Sequence, residues 1–104
     1  MNEQQQERVQ IFYSQLAQIP SGKVVTYGQL AQLCGFGNGA RWVGRQLGRL
    51  PEGSNFPWHR VLNHAGRISL PPGETRDEQI QRLLAEGIIV SGGRVSLRDF
   101  QWQP

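Results

Sequence analysis

The 104-residue chain has one cysteine, Cys34, one lysine, Lys23, and only two histidines, His59 and His64. A lone cysteine excludes an internal disulfide framework and a zinc site built on several thiolates. His59 and His64 are five residues apart across a turn, without a second cysteine or paired carboxylates nearby, so neither a metal nor a cofactor is expected. No apolar run approaches the roughly 20 residues of a membrane span, so no membrane partner is expected. The opening residues, Met1-Asn2-Glu3-Gln4-Gln5-Gln6-Glu7, are polar and partly acidic, unlike a secretory leader. The expectation is one domain over residues 1–104, soluble and cytoplasmic, nuclear in a eukaryote, and monomeric, since nothing calls for an oligomer.

Ten of the eleven cationic side chains are arginines, and the formal net charge is +3. Guanidinium groups stack on flat rings and form forked hydrogen bonds to phosphate. This bias points weakly to nucleic acid and is equally compatible with a mildly basic protein that binds none.

Val9, Phe12, Leu16 and Ile19 recur at spacings of three and four, which predicts an amphipathic helix from about Glu3 to Ile19, stopped by Pro20-Ser21-Gly22. Val24 and Val25 read as a short extended piece. Thr26-Tyr27-Gly28-Gln29 has the pattern of a capping box, opening a helix that carries Leu30, Ala31 and Leu33 inward and ends near Gly35. A glycine-rich turn leads to a second helix, from about Ala40 to Leu50, with Val43, Leu47 and Leu50 on its apolar side. Arg41, Arg45 and Arg49 repeat every four residues on another face. Two short helices joined by a tight turn outline a helix-turn-helix, with the arginines on the element that contacts DNA in such motifs. Beyond the loop from Glu52 to Pro57, Arg60-Val61-Leu62 and Arg67-Ile68-Ser69 suggest a hairpin. Glu74 to Glu86 suggests a helix with Ile80, Leu83 and Leu84 inward. Ile88-Ile89-Val90 and Arg94-Val95-Ser96-Leu97 suggest a terminal hairpin. The fold class expected is mainly α with short β-hairpins, as in a winged helix.

Three segments carry a specific resemblance. Pro57-Trp58-His59-Arg60-Val61 resembles Pro-Cys-His-Arg-Val, the active-site signature of the O6-alkylguanine-DNA alkyltransferases. Ile19 to Ala31 resembles that family's lead into its helix-turn-helix, and Gly39-Ala40-Arg41-Trp42-Val43-Gly44 resembles the start of its recognition helix. The matches keep the family's order and spacing, cover about Val9 to Gly87, and imply the winged helix-turn-helix of the family's C-terminal DNA-binding domain. The departure is Trp58, in place of the cysteine whose thiolate takes the alkyl group. Indole nitrogen only donates a hydrogen bond and cannot act as that nucleophile. Cys34 reads as a small core residue rather than a replacement. Tryptophan at this position is the mark of the alkyltransferase-like proteins, which bind the lesion without transferring the alkyl group and pass it to nucleotide excision repair. The aromatic, proline-ended tail Asp99 to Pro104 also resembles that of some members.

The resemblance implies a set of roles. The nucleotide carrying O6-alkylguanine is flipped out of the duplex into a pocket formed by Trp58, Tyr27, His59, Pro57 and Arg67, with Arg67 or Arg76 near the base. Tyr27 crowds the phosphate beside the target, and Arg41 fills the vacated place in the stack. Thr26, Gly39, Ala40, Arg45, Arg49 and Arg60 join them on the DNA. His59 and Glu86 are the remainder of the relay that activates the cysteine. The repair members' asparagine eight residues before the cysteine is here Leu50. The expected partners are lesion-bearing double-stranded DNA and excision-repair proteins, and no enzymatic activity is expected. Two alternatives stay open: a repair enzyme that removes the lesion by another route through His59 and Glu86, and a winged-helix transcription regulator.

Overall fold

The computed structural model describes residues 2–104. Helix α1 spans Glu3–Gln18 and begins with a reciprocal cap: the Gln5 amide donates to Asn2 Oδ1 at 2.9 Å, and the Asn2 amide donates to Gln5 Oε1 at 3.1 Å. Its buried face carries Phe12 and Leu16, with Ile19 just beyond its end and Val9 half-buried at the margin. Strand β1, Val25–Thr26, runs straight into helix α2, Tyr27–Leu33. Thr26 caps α2 by accepting from the Gln29 amide at 3.0 Å. The returning half of the expected box does not form. The Gln29 side chain instead donates to the Trp102 carbonyl at 2.8 Å and accepts from Gln101 at 2.7 Å.

After the turn at Gly35–Gly39, where Gly35 and Gly37 take positive φ, helix α3 spans Ala40–Leu47. It ends at Leu47, three residues before the expected Leu50, with Gly48 as its C-cap, so Arg49 lies outside the helix. A short 3-10 turn, Trp58–Arg60, leads directly into strand β2, Val61–Leu62. Helix α4 covers Glu74–Ala85 and helix α5 covers Leu97–Phe100.

The pairing differs from the expected hairpins. β2 lies parallel to β1, with Val25 opposite Val61 and Thr26 opposite Leu62. Arg67 makes its bridge with Arg94 rather than with the strand before it, and the terminal hairpin reduces to a tight Ser91–Arg94 turn. The first reversal is still tight: the Asn63 amide donates to the Arg67 carbonyl at 3.0 Å, and Val95 reaches across to the Gly66 carbonyl at 2.8 Å. A Cβ on Gly66 would sit 2.4 Å from the Val95 carbonyl oxygen, so only glycine allows this approach. The tail adds to the other edge of β1 through a parallel bridge between Val24 and Gln101.

Side chains alternate across a strand, and here that alternation separates two cores. Val25 and Val61 enter a cluster with Phe12, Leu16, Ile19, Leu30, Ala31, Cys34 and Val43. Val24 and Leu62 enter another with Ile68, Leu83, Ile88 and Val95. The ladder therefore joins the α1–α3 helical unit to the unit that contains α4. Leu84, expected inward, is 46% exposed because Leu83 takes the buried position on that turn.

Candidate nucleic-acid interface and cleft

Trp58 is placed by what flanks it. Phe56 stacks on Tyr13 of α1, with ring centroids 4.8 Å apart, and anchors the end of the loop. Pro57 is buried and caps the 3-10 turn, which closes with the Arg60 amide donating to the Pro57 carbonyl at 3.1 Å. The half-buried Trp58 then forms one wall of a cleft of about 480 Å³. Tyr27 from the start of α2, Gly44, Leu47 and Gly48 from α3 and its end, Leu50, Pro51 and Ser54 from the loop, and Thr75 and Gln79 from α4 line it, together with Val61 and Leu70. None of these side chains is charged. The volume lies within the range of small-molecule pockets. The Tyr27 hydroxyl is hydrogen-bonded to Ser69 Oγ at 2.7 Å, which fixes its ring at the mouth.

Behind the turn is a polar network. Glu86, just past α4, accepts from His59 Nε2 at 2.6 Å, from the Arg60 guanidinium at 2.6 Å, and from the Gly22 amide at 3.0 Å. Arg60 also donates to the Ile19 carbonyl at 2.8 Å. Burial would raise the Glu86 pKa, but the bonds from Arg60, His59 and Gly22 outweigh it and hold the carboxyl at about 2. Burial pulls His59 below the ordinary imidazole range. The Glu86 carboxylate pushes the other way, but Arg60 shares that carboxylate and its positive charge opposes a second one on the ring. His59 is therefore neutral, with Nε2–H donating to Glu86, and its buried Nδ1 has no hydrogen-bond partner among the described residues. Gln79 completes the arrangement by donating to the carbonyls of His59, at 3.2 Å, and Val61, at 3.4 Å.

The structure thus brings Trp58 and Tyr27 to one cleft and joins His59 to Glu86. Pro57 and His59 are buried behind the cleft rather than lining it. Arg67 is exposed and is also absent from the lining, because its backbone is held against Arg94. Arg60, expected on the DNA, turns inward to Glu86. The three arginines expected along α3 separate. Arg41, exposed in the first turn of α3, shares helical spacing with Gly44 and Gly48 and so lies on the side of α3 that faces the cleft. Arg45 and Arg49 border a groove against α1 with Tyr13 and Trp42. Thr26 is engaged as the α2 cap, while Gly39 and Ala40 begin α3 and are half-buried. Arg76 lies with its guanidinium against Gly93.

Sequence reasoning missed Ser69, Gln79 and Arg82. The Arg82 guanidinium stands 5.6 Å from the Trp58 ring centroid. Thr75, Gln79 and Arg82 follow helical spacing along α4, a signal visible once one of them is known to face the cleft. Cys34 is buried in the core, where desolvation raises its thiol pKa to about 11. Among the described residues, no group of three or more histidine, cysteine, aspartate or glutamate side chains could hold a metal ion, and no helix is long and apolar enough to cross a membrane.

Comparison with known proteins gives the family of the chain. Residues 6–88 match the family described as 6-O-methylguanine DNA methyltransferase, DNA binding domain. The chain is 54% identical over 97 residues to a DNA base-flipping protein of Vibrio parahaemolyticus, covering 92% of this chain and 95% of that one. It is 38% identical over 100 residues to alkyltransferase-like protein 1 of Schizosaccharomyces pombe, covering 88% and 91% respectively. The solved structure of S. pombe Atl1 in complex with damaged DNA containing O6-carboxymethylguanine superposes over 100% of both chains, with a TM-score of 0.88 and 32% identity. The chain therefore belongs to the 6-O-methylguanine DNA methyltransferase DNA-binding-domain family, within its alkyltransferase-like branch.

Proposed function

We propose that this protein is a DNA-damage sensor that binds O6-alkylguanine in duplex DNA, draws the nucleotide into the cleft between α3 and α4, and transfers nothing. The observation that carries this reading is the indole of Trp58 in the cleft wall, in a segment whose resemblance to Pro-Cys-His-Arg-Val pairs it with the family's nucleophile. The chain's one thiol, Cys34, is buried in the core and held protonated. His59 donates to Glu86, but Trp58 gives that pair no group to deprotonate.

Flipping costs a few kcal/mol of unstacking, least for a damaged base. The proposed offsets are Arg41, filling the gap with a flat guanidinium, and Tyr27, held at the mouth by Ser69 and crowding the adjacent phosphate. Relatives named for base flipping, and a relative seen on damaged DNA, support the same reading. The complex would act as a monomer in the DNA-containing compartment and be handed to excision-repair proteins. Arginine contacts to phosphate make the binding salt-dependent.

The test uses purified protein, duplexes with and without O6-methylguanine, and a labelled methyl group. Tighter binding to the damaged duplex, no label on the protein and no released methanol or base are expected. Equal affinity for the two duplexes refutes the sensor, and label on the protein refutes the absence of transfer.

A further inference from the structure

Resting on the lesion-cleft reading above, we propose that Arg82 is a positioning residue for the Trp58 wall and biases the cleft toward O6-adducts that end in a negatively charged group. Thr75 and Gln79 of α4 line the cleft, and Arg82 is the next position on the same face. Arg82 itself is not in the lining. Its guanidinium stands over the indole that is, 5.6 Å from the ring centroid, which is within cation–π range.

Two features make this cation available to a ligand. The lining has no charged side chain, so nothing in it offsets the field of a guanidinium on its wall. The tether on Arg82 is also weak: Glu78 Oε2 lies 3.1 Å away, in an i,i+4 pair whose side chains are 47% and 54% exposed. Exposed pairs of this kind exchange readily for another carboxylate. An alkyl group ending in carboxylate, brought against Trp58, gains the guanidinium over that indole as a counter-charge. A methyl group gains only the restrained indole.

A purely structural surface arginine would affect every adduct alike, so the readout is a ratio. Wild type, Arg82→Ala and Arg82→Lys are titrated against the same duplex carrying guanine, O6-methylguanine or O6-carboxymethylguanine, with thermal unfolding checked for each variant. Wild type is expected to favour the carboxymethyl over the methyl adduct by about threefold to fivefold at low salt, the scale of one exposed ion pair. Arg82→Ala should abolish that ratio, Arg82→Lys should keep part of it, and raising salt should shrink it in wild type. A wild-type ratio near one, or an Arg82→Ala ratio equal to that of wild type, overturns the assignment of Arg82 and leaves the sensor reading standing. Wild-type affinity for both adducts no higher than for guanine overturns both.

Discussion

Glu86→Gln tests how the Trp58 turn is held. The substitution keeps the shape of the side chain and removes the charge shared by Arg60 and His59. Arg60 is then left as a cation whose side chain is only 17% exposed, opposite an amide. Removing one partner of a fully buried pair costs about 3–5 kcal/mol. The partial exposure here, 12% for Glu86 and 17% for Arg60, places the expected loss near the lower end, at about 3 kcal/mol. The pH dependence gives a second route to that figure. The Glu86 pKa falls from 4.5 to about 2 on folding, which at about 1.4 kcal/mol per pH unit also contributes about 3 kcal/mol. Because the folded value is depressed, this stability is complete above pH 4.5 and is lost as pH falls through about 2. About 2 kcal/mol of it should be gone by pH 3, and nearly all should remain at pH 5. His59 has the same sign, since burial holds its folded pKa below 6.5, and both proteins carry it, so the Glu86 contribution is read from the difference between them at pH 5 and pH 3. Urea unfolding of both proteins, followed by circular dichroism, should show a gap of about 3 kcal/mol at pH 5 that narrows to about 1 kcal/mol at pH 3. A gap below about 1 kcal/mol at pH 5, or one that does not narrow, refutes the account of the network.

Arg41→Ala should weaken binding to an O6-methylguanine duplex about tenfold more than binding to undamaged DNA, as expected of a side chain that replaces the flipped base rather than touching one phosphate; matching losses in a titration would argue against that role. Gly44→Ala meets no atom within 4 Å, so it should stabilise α3 by about 0.5–1 kcal/mol in urea unfolding, while its methyl narrows the cleft and weakens bulky adducts more than O6-methylguanine. Tighter binding of bulky adducts by that variant would show that this side of α3 does not bound the site. Cys34 should resist a thiol reagent at pH 8 in the native protein and react fully in urea, given its burial and a thiol pKa of about 11; rapid native labelling would contradict its place in the core.

Much of this was legible in the chain because the signals are local. Phe12, Leu16 and Ile19 mark α1 by spacing, Thr26 marks the start of α2, and the Pro57–Val61 segment marks the cleft through its resemblance. What was not legible depends on distant partners. β1 and β2 have two residues each, too few for a period, and their parallel register is set by burial on both faces. Arg60 reads as a surface cation until Glu86, 26 residues away, is seen to claim it. Leu83 and Leu84 are indistinguishable by composition, and packing against Val24, Leu62 and Ile88 decides between them. Arg82 and Ser69 gain meaning only from Trp58 and Tyr27, which the fold brings to them.

The two-residue ladder has a mechanical consequence. Tyr27 follows β1 immediately, and Trp58 opens the turn that runs into β2. The jaws of the cleft are thus mounted on adjacent strands, whose separation is set by backbone hydrogen bonds at about 4.8 Å. The ladder works as a fixed gauge. Lengthening the loop at 48–57 or the segment at 63–73 leaves that spacing unchanged, so this scaffold alters the size of what it grips by changing the residues on the jaws, with their mounting held constant.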